Sequence, residues 1–191
     1  MTLYSVLLYF VSFIWIVFEA WLIFRDRIQG KGKVTNDRGS RYLNIAAIFL
    51  GITFASVLHG FHKFLFPGGS SDAGFFIGVA IFLVGFGLRV WAVAVLGKSF
   101  RTTVETHEDQ RVVRSGPYRL LRHPSYSGLL LMCLGYGVAV QNLLSLAVAF
   151  LLPLAALLYR IRIEERALVS SLGPAYKQYQ NETKKLLPWL W

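Results

Sequence analysis

Two short polar blocks carry most of the residues in this chain that could do chemistry. The first reads Arg111-Val-Val-Arg-Ser-Gly-Pro-Tyr118-Arg-Leu-Leu-Arg122-His123-Pro124-Ser125-Tyr126-Ser-Gly128, and the second reads Arg160-Ile-Arg162-Ile-Glu164-Glu165. Arg160 and Glu164 stand four residues apart, so on a helix they share a face and can pair. As an ordinary surface ion pair they would contribute only ~0.3–0.5 kcal/mol. At a membrane boundary, however, desolvating such groups is costly, and charged residues there mark a task. Pro124 disfavours helical geometry at His123 and is itself suited to open a helix, so the imidazole is presented at a bend. A solvated histidine at a helix start is the plain alternative. With Tyr118, Arg122, Tyr126 and Gly128 around it, a ligand site is the better reading. Such a cluster offers aromatic faces to an adenine or a sulfonium and donors to a carboxylate.

Both blocks adjoin long apolar runs. The chain has 191 residues, 55% of them hydrophobic and 16% charged, and a positive mean hydropathy. Soluble domains are ~45–50% apolar and ~25% charged, so the composition is that of an integral membrane protein. A soluble chain with a formal charge of +10 would prompt a nucleic-acid hypothesis. Basic loops on the cytoplasmic face of a membrane explain the charge more simply, and no nucleic-acid partner is expected. Cys133, the single cysteine, lies in an apolar run and reads as a small buried hydrophobe. The first apolar run lacks a basic leader and a small-residue cleavage site, so it is expected to stay as an anchor.

A helix needs ~20 mostly apolar residues to cross ~30 Å of hydrocarbon. Leu3 to Phe24, Tyr42 to Phe66 and Ala73 to Gly97 qualify, while Ser127 to Tyr159 is too long for one span and breaks at Gln141-Asn142. That last region predicts a tight helical hairpin whose first arm, Tyr126 to Val140, is short for a full crossing. The expected count is five. Six basic residues fall in each of Arg25 to Arg41, Lys98 to Arg122, and Arg160 onwards, and none in Pro67 to Asp72 or Gln141-Asn142. Five spans put all three basic segments on one face, which the positive-inside rule makes cytoplasmic, with the N-terminus out and the C-terminus in. Thr102-Thr-Val104 and Arg111-Val-Val113, around the polar turn Glu105 to Gln110, are compatible with a small cytoplasmic β-hairpin. Beyond Tyr159 the helical spacing of Ile161, Leu168 and Leu172 predicts that the last span continues into the cytoplasm and breaks at Gly173-Pro174. The expected fold is therefore an all-α membrane protein, with residues 1–97 forming a three-helix part and 98–191 the functional core.

Other features are weaker. Gly85-Phe-Gly87 lies inside a span with no preceding strand, so it reads as close helix packing rather than a dinucleotide fingerprint, as does Gly74-x-x-x-Gly78. Arg89, about two turns from the cytoplasmic end of the third span, either snorkels or faces inward to meet a substrate, with Glu19 as a possible partner. His59, His62 and Lys63 have no cysteine or carboxylate cluster nearby, and no metal site is expected.

The run Gly116-Pro-Tyr118 through Arg122-His123-Pro124-Ser-Tyr126-Ser-Gly128 resembles a signature of the isoprenylcysteine carboxyl methyltransferase family. Arg160-x-x-x-Glu164-Glu165-x-x-Leu168, followed by Leu172-Gly173-x-x-Tyr176-x-x-Tyr179, resembles a second. The likeness covers about Ser99 to Pro188. It implies a membrane methyltransferase without a Rossmann domain, using S-adenosylmethionine on a lipophilic or prenylated acceptor. It further implies cofactor contacts from Tyr118, His123, Pro124, Ser125 and Tyr126, from the backbone of Val112 and Val113, and from Glu164 and Glu105. Arg160 matches the arginine that holds the methyl-accepting group, with Glu164 beside it as the second catalytic residue and Arg89 as a candidate substrate contact. Gln110, also a candidate cofactor contact, stands where relatives often carry histidine, and Leu172 replaces an aromatic. The resemblance describes the donor site better than the acceptor, so a small thiol, a phenolic lipid or a phospholipid amine stays open as acceptor. A small transporter or structural subunit is the non-enzymatic alternative.

Overall fold

The structure is a computed structural model describing residues 3–28, 33–34, 37, 39–58, 65–66, 71–102, 105–106 and 112–188, with the backbone alone at 33, 34, 98, 105 and 106. Six α-helices are described: α1 (Leu3–Ile28), α2 (Ser40–Leu58), α3 (Asp72–Leu96), α4 (Pro124–Val140), α5 (Leu143–Leu172) and α6 (Pro174–Glu182). Two short strands, β1 (Lys33–Val34) and β2 (Glu105–Thr106), and the 3-10 turns Gly97–Ser99 and Gly116–Arg119 are also described. The chain is an all-α membrane protein in which α1, α2, α3 and α5 are long and apolar enough to cross a bilayer. At 17 residues, α4 spans about 26 Å at ~1.5 Å per residue.

Each helix end has a local cause. Ser71 caps α3 by accepting from Gly74 N at 3.1 Å, and Asp72 places an acid in the first turn, where it complements the helix dipole. The polar break expected at Gln141-Asn142 is the α4–α5 turn. Gln141 takes a left-handed conformation at φ 56°, and Asn142 Oδ1 caps α5 by accepting from Ser145 N at 3.0 Å. The Gln141 amide also holds Ser71, accepting from its N–H at 2.7 Å and donating to its carbonyl at 2.9 Å. Gly173 (φ 57°) and Pro174 end α5 and start α6, as the sequence predicts.

Two expectations need correction. The second apolar run reaches Phe66 in the sequence, whereas α2 is described over Ser40–Leu58, residues 59–64 lie outside the described residues, and 65–66 are not helical. Leu65 bridges Asn142, and Phe66 N donates to Gln141 O at 3.2 Å, so this end of the run serves the α4–α5 turn instead. Glu105-Thr106, expected to open the hairpin turn, is instead strand β2, antiparallel to β1 with Lys33 opposite Thr106 and Val34 opposite Glu105, while 103 and 104 of the expected first hairpin strand lie outside the described residues. Val112 and Val113 are irregular, and Arg111 lies outside the described residues. The partner of β2 comes from the α1–α2 loop, a long-range pairing that local pattern reading does not see.

Inside the bundle, α3 lies along α4 and α2 along α5, with α4 also against α5. Glycines set the α3–α4 distance. A Cβ on Gly85 would stand 2.7 Å from the Gly128 carbonyl, and one on Gly128 would stand 2.6 Å from the Gly85 carbonyl. Gly78 and Gly135 meet the facing backbone in the same way. Of the glycines read in the sequence as packing devices, Gly78 and Gly85 are, whereas nothing lies within 4 Å of a Cβ on Gly87 and Gly74 faces the Gln141 side chain. α1 leans on α3 through Trp15 against Phe82 and Phe18 against Phe86, ring centroids 5.9 and 5.4 Å apart.

Candidate active site

The bend before α4 is held by the C-terminal tail. Arg122 N donates to Lys184 O at 2.7 Å, His123 N to Lys185 O at 3.1 Å, and Lys184 N to Leu120 O at 3.0 Å. Ser127 Oγ donates to Leu186 O at 2.6 Å, and Tyr179 Oη on α6 donates to Tyr118 O at 2.7 Å. This clasp fixes the 3-10 turn Gly116–Arg119 and the start of α4 against α6. The sequence block from Gly116 to Gly128 is therefore one rigid edge rather than a loose loop.

Opposite that edge, α5 presents the second block. Tyr126 Oη lies between its two key residues, donating to Glu164 Oε2 at 2.7 Å and accepting from Arg160 Nε at 2.8 Å. The expected Arg160–Glu164 partnership is thus mediated by a phenol, and the ion pair of Arg160 is with Asp37 at 3.3 Å. Ser40 Oγ and Thr102 O take further guanidinium bonds at 3.0 and 2.6 Å. The His123 ring stacks on Tyr126 at 5.5 Å and 11°, and its Nε2 faces Glu165 Oε1 at 3.3 Å. Arg122 Nε donates to the same Glu165 oxygen at 2.8 Å. Burial, with the Glu164 charge added, pushes the Tyr118 phenol well above its ordinary range. Burial followed by Glu164 and Glu165 does the same at Tyr176. Both phenols keep their protons at neutral pH, so neither supplies a base.

Arg89 faces the interior. It pairs with Glu19 through Nε and, at 2.6 Å, Nη2, and donates to Ser125 Oγ at 2.7 Å. Ser125 is thereby turned toward α3, while Tyr126 turns toward α5. Between α1, α2, α3, the start of α4 and α5, with Phe100 to Thr102, lies a cavity of about 410 Å³. Ile16, Ile23, Ile45, Ile48, Phe49 and Ile52 form its greasy wall; Arg89, Tyr126 and Arg160 stand at its polar end.

The predicted residues Tyr118, His123, Pro124, Ser125, Tyr126, Arg160, Glu164 and Arg89 thus gather around the start of α4. Val112 and Val113 are half-buried just ahead of the 3-10 turn. Glu105 is described only as backbone in β2, and Gln110 lies outside the described residues, as do His59, His62 and Lys63. Sequence reasoning missed Asp37, Ser40, Thr102 and the tail at Lys184–Leu186, all of which reach the site from distant parts of the chain. Glu165 carried a signal in its place beside Glu164, though not its partners.

The sequence profile of the isoprenylcysteine carboxyl methyltransferase (ICMT) family matches residues 78–170, which hold both blocks. A probable protein-S-isoprenylcysteine O-methyltransferase of Oryza sativa subsp. indica is 35% identical over 146 residues, 74% of this chain and 75% of that protein. The chain belongs to the ICMT family. The cobalt-zinc-cadmium resistance protein CzcN of Cupriavidus metallidurans is 38% identical over 116 residues, 59% of this chain and 46% of that protein. Among solved structures, the eukaryotic intramembrane Ras methyltransferase ICMT superposes with a TM-score of 0.57 at 26% identity, over 79% of this chain and 51% of that one. The chain therefore spans about half the length of that structure, and shares its fold.

Proposed function

We propose that this protein transfers a methyl group from S-adenosylmethionine to the carboxylate of a lipophilic, isoprenylcysteine-like acceptor at the cytoplasmic face of a membrane. The observation that carries the reading is the Tyr126 hydroxyl. It joins Arg160, at the polar end of an apolar cavity, to Glu164, beside the His123 edge. A lipid-soluble molecule and a water-soluble one can each approach from its own side and meet there.

The residues fit a sulfonium nucleoside donor. The stacked His123 and Tyr126 rings offer an aromatic face, and Glu164, whose side chain is 27% exposed, keeps a carboxylate available to a cation. Tyr118, Pro124 and Ser125, the backbone of Val112 and Val113, and more distantly Glu105 and Gln110, complete the donor side in this reading. When bound, the donor supplies a methyl group activated on positively charged sulfur. Arg160 holds the acceptor carboxylate, with Arg89 as the second cation at that end. A carboxylate is already ionised, so the task is orientation and exclusion of water rather than proton removal. A phenol or thiol acceptor would need a base, and the buried Tyr118 and Tyr176 do not provide one.

Topology completes the proposal: five crossings, with α4 the short one, the N-terminus outside and the C-terminus inside. The three basic segments then share the cytoplasmic face with the donor site. Arg160→Ala is expected to lower transfer about a hundredfold or more while S-adenosylmethionine still binds the detergent-purified protein in titration calorimetry. Equal loss of both in a folded protein contradicts the assignment, and a protein that binds no donor at all returns the non-enzymatic reading.

A further inference from the structure

The acceptor cavity holds more positive charge than one carboxylate needs. Of its four arginines, Arg89 is paired with Glu19 and Arg160 with Asp37. The other two, Arg41 and Arg101, have no carboxylate partner among the described residues. Asp26 accepts from Thr102 N through Oδ2 at 2.5 Å, while its Oδ1, 4.0 Å from Arg25, is buried without a hydrogen-bond partner, as is Arg25 Nε.

The hydrogen-bond accounting points to the same place. Arg160 already gives four of its five N–H groups to Tyr126, Asp37, Ser40 and Thr102, which leaves one on Nη2 for the first carboxylate. Arg101, one residue from the Thr102 carbonyl that Arg160 holds, has Nε and Nη1 buried with no partner, as has Arg41 Nε. Asn44 Oδ1 and Thr102 Oγ1, of residues lining the same cavity, are buried and unpartnered too. Buried polar atoms are paired in almost every folded protein. Five of the seven such atoms among the described residues belong to residues lining this cavity, which fits a ligand that brings the missing acceptors and a donor.

We infer that Arg101 and Arg41 form a second anion-binding shelf in the acceptor cavity, so that the natural acceptor carries a further negatively charged group beside the carboxylate that receives the methyl. Asn44 on the same shelf calls for a donor such as an amide N–H between the two. The inference rests on the proposed function for the identity of the first carboxylate, and adds a substrate class to it: lipophilic molecules with two anionic groups at the head.

The test is direct binding to the full-length protein in phosphatidylcholine nanodiscs. One probe is N-acetyl-S-farnesylcysteine, with a single carboxylate; the other is N-succinyl-S-farnesylcysteine, which keeps the amide N–H and adds a second carboxylate on a short arm. The unmodified protein is expected to bind the succinyl probe about tenfold more tightly, the scale of one charge-assisted hydrogen bond. Arg101→Gln brings the two affinities within about twofold, whereas Arg101→Lys, which keeps the charge, retains a preference. Arg41→Gln gives the same comparison where an Arg101 variant does not fold. Equal affinity of the unmodified protein for both probes, a full preference surviving in Arg101→Gln and Arg41→Gln, or failure of both probes to bind overturns the inference. So does loss of S-adenosylmethionine affinity in Arg101→Gln with the preference intact, since the shelf would then serve the donor. Methyl transfer is read separately. A protein that methylates the acetyl probe but ignores the second carboxylate loses only the shelf. One that prefers the succinyl probe and binds no donor loses only the methyltransferase reading.

Discussion

Tyr126 and His123 are the residues on which the account turns, because each touches both polar blocks. The Tyr126 hydroxyl makes one bond to each of two charged partners, and hydrogen bonds to charged groups contribute ~1.5–3 kcal/mol. Tyr126→Phe keeps the ring stacked on His123 but leaves Arg160 Nε and Glu164 without their common partner. Transfer is therefore expected to fall about tenfold to a hundredfold, with a smaller loss of donor affinity, measured by single-turnover kinetics beside calorimetry. Equal, small effects on both would make the phenol a packing residue. His123→Ala removes the stacked ring and the contact with Glu165. Its expected signature is the reverse: donor affinity weakened about tenfold, and unchanged affinity would place the donor elsewhere.

At the scale of elements, the site depends on how closely α3 approaches α4, since α3 carries Arg89 and α4 begins with the His123 bend. Gly128→Val drives a branched side chain into the Gly85 carbonyl and the Arg89 backbone, and overpacking of this kind costs ~1–3 kcal/mol. A lower melting temperature in detergent and weaker donor binding are expected. Gly87→Ala is the internal control, because nothing lies within 4 Å of a Cβ there; a melting temperature as low as that of Gly128→Val would refute the packing argument. These elements were also the most legible part of the chain. Apolar run length located four of the helices, and Gln141-Asn142 and Gly173-Pro174 gave the two sharpest boundaries. What periodicity could not show was pairing between segments far apart in sequence. The β1–β2 ladder, the bridge from Leu65 to Asn142, and the tail at Lys184–Leu186 satisfy backbone groups whose partners no local pattern names. For the same reason Asp37 and Ser40, some 120 residues from Arg160, were invisible, whereas Tyr118, His123, Tyr126 and Glu164 stood out through motif resemblance.

For the molecule as a whole, the proposal requires the start of α4, the extension of α5 and α6 to share the cytoplasmic face. Cys133 is buried, so single cysteines can be introduced against a quiet background. A cysteine replacing Lys177 on α6 is expected to react with a membrane-impermeant maleimide only after cells are opened, and one replacing Ser71, ahead of α3, in intact cells. The opposite pattern would invert the topology and strip the basic segments of their explanation. Acceptor chemistry is the larger claim, and one measurement addresses it most directly. The purified protein is incubated with methyl-labelled S-adenosylmethionine and N-acetyl-S-farnesylcysteine, and the lipid product is then treated with alkali. The label is expected to leave as volatile methanol, the mark of a carboxyl methyl ester, and Arg160→Ala to yield almost none. Label that stays with the lipid through alkali, as an ether, thioether or methylamine would hold it, contradicts the claim.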